Sequence, residues 1–175
     1  MRRPGPRLRA EPASKEFALN NLKILQTTTQ DEFRKLHQLD KEKNGLMKLE
    51  PSSFTMRAGG SILHDFYTGI EKIFENIAKE VDRRVPTGEE WHSELIHQMT
   101  LEIPGLRPPI ISAATAKKLR EYLGFRHLFR KRYGFDLDWK KMERLLRNVP
   151  EVLSHLEKDI GRFFKLIDSL PRKSQ

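Results

Sequence analysis

The sequence predicts an all-α fold, a bundle of about five to six helices, and three observations predict it. Apolar residues recur three and four positions apart through several long segments, the period of a helix with one buried face. No segment carries a strand signal of comparable strength. Proline, glycine and capping residues punctuate the periodic segments where helices would start and stop. With 175 residues the chain is one domain, long enough to bury a sizeable core.

The elements follow in order. Phe17, Leu22, Leu25, Phe33 and Leu36 mark an amphipathic helix from Phe17 to about Leu39, with a weak centre at "TTT". "KNGLMKLEPSS" turns the chain, with Asn44-Gly45 as the stop and Pro51 beside the next start. A second helix runs from near Ser53 to Arg83 on a broad stripe of Ile62, Phe66, Ile70, Ile73, Phe74, Ile77 and Val81. Gly59-Gly60 softens its first turns. Gly69, inside it, costs about 1 kcal/mol against alanine, and close approach of a neighbouring helix is its excuse. Thr87 and Glu90 form a capping box for a short third helix bearing Trp91, Leu95, Ile96 and Met99. "EIPGLRPPIIS" is a long loop. Ser112 caps a fourth helix through Tyr133, which Gly134 ends. "DLDW" restarts a short helix, and Pro150 opens a last one with Val152, Leu153, Leu156, Ile160, Phe163, Phe164 and Ile167.

Composition narrows the function. There is no cysteine, which excludes a disulfide framework, thiolate metal sites and cysteine nucleophiles, and fits a reducing cytoplasm. No apolar run reaches the roughly 20 residues that span a bilayer. The net charge is +9, and three of those charges lie in "MRRPGPRLRAEPAS", where four arginines face Glu11. Residues 1–14 read as a disordered basic arm, not a signal peptide. A basic balance favours phosphate-rich or acidic partners.

The chemistry concentrates in "FRHLFRKRYGFDLDW", Phe125 to Trp139. At about 100° per residue, Tyr122, Phe125, Phe129 and Tyr133 lie to one side of Arg126, and Leu119 and Leu123 to the other. Arg126 and Arg130 therefore sit inside or beside the apolar arc. An unpaired guanidinium there is costly, so Arg126 needs a carboxylate, carbonyls or a phosphate. The pattern admits both a structural salt bridge and an anion site. His127 and Lys131, one turn apart, share the neighbouring face. Elsewhere the bland accounts win. His64-Asp65 is ordinary helix surface, because adjacent residues diverge. His92 and His97 are five apart, unlike the four-residue spacing of a helical zinc pair, so no metal is expected. Asp136 and Asp138 are caps, and Trp91 and Phe163-Phe164 are core. No phosphate loop, nucleophile elbow or carboxylate dyad is present, and no cofactor is expected.

At "FRHLFRKRYGFDLDW" the sequence resembles the HepT-like branch of the HEPN superfamily. "LHDFYTGIEKIFENIA", "GEEWHSELIHQM" and "IPGLRPPIIS" carry the same resemblance in the same order, from about Glu16 to Leu170. The resemblance implies a bundle spanning residues 15–170, with residues 171–175 as a tail. It implies a homodimer that brings an R-x(4–6)-H-x-Y motif from each subunit into one cleft. Active members are metal-independent ribonucleases, in which the arginine stabilises phosphate charge and the histidine exchanges protons with the ribose hydroxyl or leaving oxygen. HepT toxins pair with a small nucleotidyltransferase antitoxin, which can adenylylate the motif tyrosine.

Carried over, the motif arginine is Arg126 and the modified tyrosine is Tyr133. The histidine position falls on Lys131. An ordinary lysine amine is protonated near neutrality and can give a proton but not take one. It is chemically sensible as an acid or a phosphate clamp. His127 keeps an imidazole one turn away. The candidate catalytic residues are thus Arg126, Lys131 and His127, and the candidate RNA-phosphate contacts are Arg126, Arg130, Lys131 and Arg132. Two functions compete: an RNA-cleaving toxin regulated by a nucleotidyltransferase, and a non-catalytic module that binds such a partner with a degenerate motif. A helical RNA-binding protein using the Arg-rich helix end and the basic arm is a weaker third.

Overall fold

The structure is a computed structural model that describes residues 12–131 and 137–169. The described residues are all-α, with five helices and no strand. The helices are α1 (Pro12–Leu46), α2 (Ser53–Ile77), α3 (Trp91–Thr100), α4 (Ala113–Lys131) and α5 (Trp139–Ser169), and a π-helical turn, Ala78–Asp82, extends α2.

α2 is the central rod, touching each of the other four helices. Ser52 caps it: its Oγ accepts the Thr55 N–H at 3.2 Å, and Thr55 Oγ1 accepts the Ser52 N–H at 2.7 Å. The predicted stripe is the core, with Phe66, Ile70, Ile73, Phe74 and Ile77 fully buried. The glycines explain how neighbours come so close. A Cβ on Gly69 would lie 2.7 Å from Leu36 Cδ2 of α1, and one on Gly60 would lie 2.5 Å from Phe129 Cε2 of α4. Gly60 thus admits α4, a firmer role than softening the first turns. No described helix is long and apolar enough to cross a membrane.

Several sequence expectations need correction. α1 extends beyond Phe17–Leu39 at both ends, running through Asn44-Gly45 to Leu46 and taking in Pro12 to Ser14 of the expected arm; the rest of the arm lies outside the described residues. The Thr87 capping box does not form. Gly88, at φ 103°, turns the chain after Thr87, and α3 starts three residues later with Glu90 at its cap and no side-chain bond. Ser112 does cap α4, its Oγ accepting the Thr115 N–H at 3.1 Å, but the expected stop at Gly134 lies outside the described residues.

The last two predicted helices are one. Asp138 caps α5 by accepting the Lys140 N–H at 3.0 Å, and the helix continues through Pro150. The buried face is in phase on both sides of the proline, with Leu145, Leu146 and Val149 before it and Val152, Leu153 and Leu156 after. Each such side chain is worth about 1.5–3 kcal/mol when buried, which outweighs the roughly 3 kcal/mol penalty of an interior proline. Pro150 itself is exposed and leaves the Leu146 carbonyl without its helical donor. Pro150→Ala is expected to raise the unfolding free energy by about 1–2 kcal/mol. The check is a higher urea midpoint with an unchanged slope.

The long loop between α3 and α4 is pinned from inside. Arg107 makes a bidentate pair with Asp82 of the π turn, 2.5 Å from Nε and 2.6 Å from Nη2, and donates to the carbonyls of Leu101 and Gln98 at 2.8 and 3.0 Å. The planar fork of an arginine suits this enclosed position.

Candidate functional site

The buried arginine on α4 meets a carboxylate and an imidazole from two other helices. Arg126 Nη1 donates to His92 Nε2 of α3 at 2.9 Å, and its Nε lies 3.5 Å from Glu71 Oε2 of α2. Glu71 Oε1 also bonds His92 Nδ1. A guanidinium only donates, so His92 Nε2 must accept and its Nδ1 must carry the proton given to Glu71. The imidazole is therefore neutral, with its tautomer fixed from both sides. Trp91 packs against it, ring centroids 3.7 Å apart and planes tilted by 33°.

Burial sets the electrostatics. It pushes the Glu71 carboxyl up to about 7, while the Arg126 charge pulls the other way. It pushes His92 down to about 4, helped by Arg126, His127 and Arg130. Tyr67, buried one turn from Glu71, is pushed up by burial and then by the Glu71 charge. His64 is half-buried on the same face of α2, its ring 5.7 Å from that of Phe129, and is lowered by burial and by Arg126 and Arg130 against Asp65.

The predicted residues divide accordingly. Arg126 is 9% exposed and held within its own chain, so the salt-bridge alternative for it is realised. Of its nitrogens, Nε is enclosed without a hydrogen bond, Nη1 is committed to His92, and Nη2 has no partner among the described residues. His127 is exposed, its ring edge-on to His92 at 5.7 Å. Arg130 and Lys131 are exposed at the end of α4. Arg130 lies about 40° round the helix from Arg126, but Lys131 lies about 140° away, on the His127 side. Arg132 and Tyr133 lie outside the described residues. No cluster of metal-ligating side chains occurs among those described.

Glu71, His92 and His64 were missed as site residues. Two signals were available. Glu71 interrupts the apolar stripe of α2 between Ile70 and Ile73 and is itself buried. His92 heads the stripe that continues through Leu95, Ile96 and Met99, all buried. A charged residue and a histidine inside apolar arcs on separate helices are what a buried arginine on a third helix requires.

The family model described as HepT-like protein matches residues 58–167, a span that holds Glu71, His92, Arg126 and Lys131 and leaves α1 outside. Neither the curated proteins nor the solved structures give a match. The match covers more than half of the chain and agrees with the helical architecture, so the chain belongs to the HepT-like proteins of the HEPN type.

Proposed function

We propose that this chain is a toxin-type HepT-like protein that engages RNA through the C-terminal end of α4. The observation that carries this reading is the cationic helix end: Arg130 and Lys131 exposed, beside His127 and the held Arg126. In this reading two copies pair in the cytoplasm, cleavage needs no metal, and a small nucleotidyltransferase antitoxin silences the protein through Tyr133. Within one chain Lys131 and Arg126 face different ways, and a second copy is what would bring an Arg126 opposite a Lys131. The alternative is a non-catalytic partner of a nucleotidyltransferase. Two observations favour it: lysine stands at the histidine position of the resembled motif, and Arg126 already has a carboxylate in its own chain.

The test incubates purified protein with total RNA in the presence of a chelator, with Arg126→Lys in parallel. Lysine keeps a positive charge beside Glu71 but lacks the planar fork. Cleavage by the parent that the variant loses supports the enzyme. RNA binding that weakens steeply with salt, without cleavage, supports the binding module. Neither binding nor cleavage rejects the RNA reading.

A further inference from the structure

We infer that Glu71 and His92 are positioning residues, which hold the Arg126 guanidinium in one orientation with its Nη2 side left for an anion. The inference rests on the RNA-facing reading of this site and names two residues that shape it. Three helices contribute, one residue each: Glu71 from α2, His92 from α3 and Arg126 from α4.

The pieces fix one another in sequence. Glu71, 3% exposed, accepts a hydrogen bond from the Nδ1–H of His92 and so selects the tautomer whose Nε2 can accept. His92 Nε2 then accepts from Nη1 of Arg126 at 2.9 Å. Trp91 against the imidazole face restricts its rotation. Glu71 Oε2 lies 3.5 Å from Nε, close to it without a full hydrogen bond. An arginine stem has four rotatable bonds, and ordering one on binding costs side-chain entropy. Here the fold has already set the stem and both inner nitrogens. What an anion meets is a pre-aimed Nη2 with Arg130 one turn away. If the triad served packing alone, apolar residues of similar volume would serve as well or better.

Orientation can be read without relying on RNA. In protein labelled with nitrogen-15 at arginine, a held guanidinium gives dispersed side-chain signals with slow rotation, and a free one gives averaged signals. The expected result is a held Arg126 in the parent whose signals shift saturably with inorganic phosphate and with a single-stranded oligouridylate. His92→Leu should release Arg126 and weaken the phosphate response at least fivefold. His92→Gln should restore most of it, because one amide can both give a proton to Glu71 and accept one from Arg126. Circular dichroism shows whether each variant folds, and the Gln variant keeps the test alive if the Leu variant does not. An averaged Arg126 in the parent, no phosphate response, or an unchanged response in His92→Leu overturns the inference. A held, phosphate-responsive Arg126 in a protein that does not bind the oligouridylate upholds the positioning role and rejects the RNA reading instead.

Discussion

Arg126→Ala is expected to lower the unfolding free energy by about 2–3 kcal/mol near neutral pH, through the lost hydrogen bond to His92 and the emptied space of the stem. It should also bring a pH dependence above 7 that the parent lacks. In the unfolded chain Glu71 titrates at its ordinary 4.5 and His92 at 6.5; in the fold they stand at about 7 and about 4. Between roughly 4.5 and 6.5 each state therefore holds one proton on this pair, on His92 when unfolded and on Glu71 when folded, and the pair contributes no slope. A carboxyl raised in the fold loses stability as pH climbs from its unfolded value to its folded one. For the parent that loss ends near 7. Without the guanidinium, Glu71 rises further, and the loss continues above 7 at up to about 1.4 kcal/mol per pH unit. Urea unfolding of both proteins at acidic, neutral and mildly alkaline pH checks this, and parallel profiles would contradict it. The alanine variant is therefore a poor reagent for function, since it disturbs a buried carboxylate as well as the anion edge.

The largest functional effect is expected at position 131. If cleavage was lost with the imidazole, Lys131→His should raise RNA cleavage by roughly 100-fold or more, the usual contribution of a positioned acid–base group. An imidazole takes and gives a proton near neutrality. If His127 does the work, His127→Ala should abolish cleavage and Lys131→His should change little. If Lys131 itself acts, Lys131→Ala should be as damaging as loss of the Arg126 fork, and the parent's rate should keep rising into alkaline pH. Position 131 faces away from Arg126 of the same chain, so a site shared between two copies should also lose the Lys131→His gain on dilution. No cleavage by any of these proteins supports the binding module.

The sequence reveals the helical class and the central rod because α2 repeats one local rule over its whole length, and the excuse inferred for Gly69 is the Leu36 contact the structure shows. Boundaries were legible where a side chain fixes them, as Ser112 and Asp138 do, and at the end of α2 near Arg83. Thr87 failed because Gly88 redirects the chain, and the break at Pro150 failed because tertiary burial overrides a local penalty. The site was half legible. Arg126 stood out as a charge in an apolar arc, but its partners lie 55 and 34 positions back along the chain, as the numbers of Glu71 and His92 give. Nothing local joins them. Only the way α2, α3 and α4 meet selects that carboxylate and that imidazole.

The π turn at the end of α2 sets a constraint on length. Asp82 closes that turn, Arg83 follows in the left-handed region at φ 56°, and Asp82 holds the fork of Arg107. One residue added to or removed from a helix rotates everything beyond it by about 100°. A deletion within Ala78–Asp82 would leave the packed face of α2 in register and swing Asp82 away from its arginine. The proline-rich loop would then lose its inner anchor, and with it the placement of α3 and His92. This short segment can vary in its exposed side chains far more freely than in its number of residues.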